Sequence, residues 1–157
     1  MESGLREMQI GIRNRAYKQV SMILKNDRAI ETAVNEIRHG KHGGNTGGAG
    51  SGHAFVSDPT AIAAIANAAP IGAITLADGY IVRQPEKWLR VIKYLYYIFP
   101  KLEGKAVRYY YDGHTAIETS IKFETSERNF YYILEDFRQA CVELACQYGL
   151  VQVGKIE

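Results

Sequence analysis

Residues 101–150 carry so many helix-stopping and helix-starting signals that only a series of separate helices joined by tight turns can form there. Pro100 closes one helix, because proline clashes with the preceding turn and lacks an N–H. Asp112-Gly113 closes the next, glycine accepting the left-handed conformation that other side chains resist. Thr115 with Glu118 three residues on is a capping-box pattern for a second, short helix. Ser126 caps a third, which runs on to Gly149-Leu150. Helix, tight turn, short helix, sharp turn, long helix is the plan of a helix-turn-helix, whose last helix is shaped for a DNA major groove.

The apolar spacing assigns faces to these helices. In the first, Leu102, Ala106, Val107 and Tyr110 lie on related faces. The second is expected to offer Ile117, Ile121 and Phe123 to the core, with Ser120 small enough to let two helices cross closely. Phe130, Ile133, Leu134, Phe137, Cys141 and Leu144 hold down the third. The residues just inside its cap and off that face are the expected base readers: Glu127, Arg128, Asn129, Tyr131 and Tyr132. Arg128 suits a guanine edge or a phosphate, and Asn129 is the residue type that pairs with adenine. Thr115, Lys122 and Ser126 suit phosphate oxygens, which fix position rather than sequence.

Upstream, residues 5–38 contain no proline. Tyr17, Val20, Ile23, Leu24, Ile30, Val34 and Ile37 recur at helical spacing among Arg13, Arg15, Lys18, Lys25, Arg28 and Arg38. Asn26-Asp27 marks a break, with Asp27 as a cap for the second half. Glycine is too dense between His39 and His53 for helix or strand, and Lys41 precedes the glycines with no strand before it. That excludes the phosphate-cradling loop pattern and predicts a flexible linker. Ser57-Asp58-Pro59-Thr60 starts a short alanine-rich helix that stops at Pro70. Thr75 to Val82 carries Asp78-Gly79 between two apolar runs and reads as a tight hairpin or a helix-to-loop segment. Pro85-Glu86 opens a helix with a broad apolar face from Trp88 to Phe99.

The expected fold is therefore mainly α. A basic helical arm (1–40) and a glycine-rich linker (41–56) precede a helical DNA-binding domain (57–157), with the helix-turn-helix at about 102–148 and room for one short β-hairpin.

Hydrophobic residues make up 46% of the 157, ample for a core. No apolar run approaches the ~20 residues that cross a bilayer, and the N-terminus lacks the apolar stretch of a signal peptide, so a cytoplasmic location is expected. Net charge is +2. The basic excess sits in residues 1–42, while residues 86–157 balance ten Lys and Arg against ten Asp and Glu. That balance argues against binding driven by bulk charge alone. Cys141 and Cys146 would point about 140° apart on one helix, so free thiols are expected rather than a disulfide. His39, His42 and His53 beside the linker assign no metal, and His114 fits turn chemistry rather than catalysis. No cofactor and no enzymatic activity are expected.

The stretch from about Lys101 to Leu150 resembles the helix-turn-helix of sigma-factor region 4. It shares an aromatic-Asp-Gly turn (Tyr111-Asp112-Gly113), a short second helix, and Ser-x-Arg-x-aromatic at the start of the third. Together with the basic first helix, the glycine-rich segment and Ser57-Asp58-Pro59-Thr60-Ala61, the whole is similar to the RinA-like late transcriptional activators of Gram-positive phages. The resemblance implies a regulator in a bacterial host cell that binds double-stranded DNA, with RNA polymerase and further copies of itself as candidate partners. Two departures, Glu124 where glycine is usual and Thr125 where an aliphatic residue is usual, predict a wider turn before the third helix. Two other functions compete. One is a packaging adaptor like a phage small terminase subunit, assembling through residues 5–38 and 85–99. The other is a helical interaction protein that binds no DNA.

Overall fold

The computed structural model describes residues 2–39 and 69–152. Among them are six helices and one two-stranded antiparallel sheet, so the chain is mainly helical with a short hairpin. In chain order the elements are α1 (Glu2–Lys25), α2 (Asp27–His39), β1 (Ala73–Thr75), β2 (Ile81–Arg83), α3 (Pro85–Ile98), α4 (Lys101–Tyr111), α5 (Ala116–Lys122) and α6 (Glu127–Gln147). The glycine-rich run 41–56, His42, His53 and the helix expected from Ser57 lie outside the described residues. Contacts divide the chain into two compact units, Met1–Asp27 with Lys87–Glu157, and Arg28–Glu86. This grouping differs from the composition-based one, since α1 belongs with the C-terminal helices.

In the smaller unit, Thr75 to Val82 resolves as a hairpin. Ala73 pairs with Arg83, Ile74 with Val82 and Thr75 with Ile81. The Gly79 N–H donates to Leu76 O and the Leu76 N–H to Tyr80 O, both at 2.9 Å, while Asp78 accepts from the Tyr80 N–H. Gly79 takes φ +88, the left-handed position a three-residue hairpin loop requires. Ile74 and Val82 face the same way and are buried, as the alternating pattern demands. Arg38 ion-pairs with Glu86 and donates to Ala69 O at 2.7 Å. Glu86 also accepts from the Ile71 N–H, which ties α2 to the chain on either side of the hairpin.

In the larger unit the core is assembled from α1, α3, α4, α5 and α6. Ala16, Val20, Ile23 and Leu24 come from α1, and Trp88, Val91, Ile92 and Leu95 from α3. Phe130, Leu134, Phe137, Cys141 and Ala145 form a continuous buried stripe on α6 at helical spacing. Tyr96 and Phe99 pack their rings on Phe137, with centroids 4.7 and 4.9 Å away. Burial of Trp88, Phe130 and Phe137 supplies a large share of the driving force, each aromatic removing on the order of 150–250 Å² from water.

The break between α1 and α2 falls at Asn26, whose side-chain amide donates to Met22 O at 2.8 Å. Asp27 is the first residue of α2 rather than a residue before it. It is buried, and its carboxylate accepts two bonds from Arg108 of α4, at 3.0 and 2.5 Å. The Arg108 guanidinium lies 4.3 Å from the centre of the Tyr96 ring. A second arginine network joins α1, α4 and α6. Arg138 donates to Tyr111 Oη at 2.8 Å and to Tyr17 Oη at 3.4 Å, and the Tyr17 hydroxyl donates to Glu135. Burial raises the Tyr17 pKa, and the hydrogen bond to Glu135 raises it further.

Candidate nucleic-acid interface

Three consecutive helices, α4, α5 and α6, contact one another pairwise. Asp112 ends α4, and Gly113 follows at φ +114. Thr115 then caps α5 through a complete capping box. The Glu118 N–H donates to Thr115 Oγ1, and the Thr115 N–H donates to the Glu118 carboxylate, each at 3.1 Å. His114 stacks on Tyr109 with ring centres 3.6 Å apart and places Nδ1 2.7 Å from Tyr109 O, so it stiffens the α4–α5 turn.

The face of α5 differs from expectation. Ala116, Thr119 and Ser120 are buried, whereas Ile117 and Ile121 are 56% and 72% exposed. The reason is register and size. The capping box fixes where α5 starts, and the side that meets α4 and α6 takes small residues. Thr119 and Ser120 can enter because their hydroxyls donate within the helix, to Thr115 O at 2.8 Å and Ile117 O at 2.7 Å. Ser120 is thus buried, as a small core-facing residue should be, and the isoleucines point outward. Leu102, expected on the face of Ala106 and Val107, is likewise 72% exposed.

The turn before α6 is also tighter than its composition predicts. Glu124 adopts φ +52, the left-handed conformation usually left to glycine. The Thr125 N–H donates to Ser120 O at 3.0 Å and the Glu124 N–H to Ile121 O at 3.3 Å. This is the paired bonding of a glycine-ended helix, made here with a glutamate. The widening expected from Glu124 and Thr125 does not occur. Thr125 has its own part, since Thr125 Oγ1 accepts from Asn129 Nδ2 at 2.7 Å. A polar clasp stands where an aliphatic residue would pack over the first turn of the helix.

Ser126 caps α6 by accepting from the Asn129 N–H at 3.0 Å. Beyond the cap, Glu127, Arg128, Asn129, Tyr131 and Tyr132 are all exposed. Glu127, Arg128, Tyr131 and Tyr132 share one shallow recess on the first two turns. Asn129 is turned back toward Thr125 and does not line it. Arg128 donates to Tyr132 Oη through Nε at 3.3 Å and through Nη2 at 3.2 Å. Of the expected phosphate ligands, Thr115 and Ser126 are exposed but spend their side-chain oxygens on caps, and Lys122 sits 4.6 Å from the centre of the Tyr109 ring.

From its third turn onward α6 runs against α1. Tyr17 holds Glu135, and a cleft of about 750 Å³ is lined by Arg13 and Tyr17 on one side and by Gln139, Glu143 and Cys146 on the other. Among the described residues, none from α1 lines the recess at the start of α6. The Arg128–Tyr132 pair was within reach of sequence reasoning, since residues four apart share a helix face. The Tyr17–Glu135 bond links residues 118 apart, and no local signal announces it. Both cysteines are free, Cys141 buried and Cys146 half-buried. Among the described residues no three His, Cys, Asp or Glu side chains cluster as metal ligands, and no helix is long and apolar enough to cross a membrane.

No protein-family model, curated protein or solved structure matches this chain.

Proposed function

We propose that this protein is a DNA-binding transcriptional regulator that inserts the first two turns of α6 into a major groove. One observation carries the reading: three helices in helix-turn-helix order, the last two capped by Thr115 and Ser126, leave Glu127, Arg128, Tyr131 and Tyr132 exposed at the start of the last one. Phe130 and Leu134 bury the inner side of its first two turns, so the outer side is a firm platform. Firm placement is what base reading needs, because a direct hydrogen bond to a base edge depends on distance and angle. Asn129 can still present its carbonyl to a base amino group, while Lys122, Thr115 and Ser126 flank the platform as phosphate contacts. The sequence resemblance extends the proposal to activation of phage late genes in the bacterial cytoplasm, with RNA polymerase as a partner and self-association as a further element.

An electrophoretic shift assay tests it. Arg128→Ala should weaken binding to a selected duplex by about 10-fold or more while the melting temperature stays put, as expected for losing one base contact. Unchanged affinity would remove α6 from the interface.

A second reading, a helical protein that binds other proteins and no DNA, is favoured by the exposure of Ile117, Ile121 and Leu102 and by the balanced charge of residues 86–157. Absence of any duplex binding at low salt, where phosphate contacts are strongest, selects that reading. A packaging adaptor would instead reveal itself as a large closed ring by solution mass measurement.

A further inference from the structure

Arg128 and Tyr132 behave as one group. The Tyr132 hydroxyl accepts from Nε and Nη2 of Arg128, and the guanidinium lies 5.7 Å from the Tyr132 ring centre. Both residues are exposed and stand one helical turn apart, on the uncovered part of α6. An arginine carries five N–H donors, and this contact takes one from Nε and one from Nη2. The Nη1–Nη2 end keeps three donors pointing away from the tyrosine. The hydroxyl, with both lone pairs engaged, can meet a further group only as a donor. The combined surface therefore presents donors only.

From this we infer that Tyr132 is a positioning residue for Arg128 rather than an independent base reader, and that the pair selects guanine. The inference rests on the DNA-binding reading above. In the major groove guanine shows two adjacent acceptors, N7 and O6. Adenine shows an acceptor beside an amino donor, and a donor-only surface opposes that amino group. Without the tyrosine oxygen, the long arginine side chain samples several rotamers, and ordering it on contact costs affinity. With the oxygen, the Nη1–Nη2 end is already aimed, which is why the pair discriminates rather than merely attracts. A phosphate also offers two acceptors, but it would reward the arginine equally at every sequence.

The test is a base-substitution series on duplexes selected by the full-length protein, read with wild type, Arg128→Ala, Tyr132→Phe and the double variant. Tyr132→Phe keeps the ring and removes only the oxygen. Arg128→Ala is expected to reduce the preference for guanine over adenine at one base pair by about 10-fold or more. Tyr132→Phe is expected to reduce it at that same base pair by about 3- to 10-fold, the range of an ordinary hydrogen-bonding contribution at an exposed site. The double variant should lose no more than Arg128→Ala, because the tyrosine acts through the arginine. All three variants should melt with wild type. If Arg128→Ala erases the guanine preference and Tyr132→Phe leaves it intact, the positioning role is overturned while the DNA reading stands. If both variants weaken all sequences alike and flatten the salt dependence, Arg128 is on a phosphate and the guanine assignment is overturned. If no variant, wild type included, binds any duplex, the DNA reading falls and this inference with it.

Discussion

Glu124 is the residue at which backbone chemistry and sequence most disagree. A side chain in the left-handed region costs roughly 1–2 kcal/mol against the right-handed one, and glycine escapes most of that penalty. Glycine also loses more backbone freedom on folding, so the net gain from Glu124→Gly is smaller, about 0.5–1 kcal/mol. Urea denaturation should show that gain, and a loss of stability would contradict the turn geometry. The caps act in the opposite sense. Thr115→Ala and Ser126→Ala each remove a side-chain oxygen that satisfies a first-turn N–H, at a cost of about 1 kcal/mol apiece by the same measurement. Both caps could be read from the sequence, because Thr-x-x-Glu and a serine before an apolar run are local signals with a local cause. The conformation of Glu124 could not, because no local preference puts a glutamate there. The bonds from Thr125 to Ser120 and from Asn129 to Thr125 hold it in place, and they depend on how α5 and α6 meet.

At the scale of elements, α5 shows how periodicity can assign the wrong face. Ile117 and Ile121 are the most apolar residues of a seven-residue helix, yet the buried side is made of the smaller Ala116, Thr119 and Ser120. Ile121→Lys should therefore leave stability within about 0.5 kcal/mol of wild type, as surface changes do. Ser120→Leu should cost about 1–3 kcal/mol by overpacking that side. Thermal unfolding of the two variants separates them, and equal effects would contradict the observed face. The buried stripe of α6 was legible because Phe130, Leu134, Phe137 and Cys141 recur over many turns, where a long periodic pattern outweighs local ambiguity. That stripe also sets an alkaline limit. Burial pushes the Cys141 thiol from 9.0 to about 12. Burial likewise pushes the Tyr111 hydroxyl from 10.0 to about 12, against the lowering effect of Arg138. Each group is neutral in the fold and ionises more readily in the unfolded chain. Their contribution to stability is therefore fully present below about pH 9 and is lost as pH rises toward 12. Cys141→Ala should move the onset of that loss upward from about pH 9 toward pH 10, where the Tyr111 hydroxyl ionises in the unfolded chain, and an unmoved onset would contradict the burial of the thiol.

At the scale of the whole molecule, the basic excess lies in residues 1–42 and the helix-turn-helix region is balanced, so DNA affinity there must come from placement. Residues 86–157 carry ten cations and ten anions. Few phosphate contacts are then available, and the proposed function predicts a shallow fall of affinity with salt. Lys122→Ala should reduce the slope of log K against log salt by about 1. The order of helices from residue 101 onward was legible because it is written in caps and turns. The grouping of α1 with those helices was not, since it rests on Tyr17, Glu135 and Arg138, which are far apart in the chain. That grouping matters to function, as it braces the far half of α6 while the outer face of the first two turns stays exposed. Selection of duplexes from a random pool by the full-length protein, at low and then physiological salt, tests this account most directly. It predicts an enriched motif containing at least one fixed guanine, abolished by Arg128→Ala in a protein that melts with wild type. Retention of no duplex even at low salt, or retention without sequence enrichment, would contradict it.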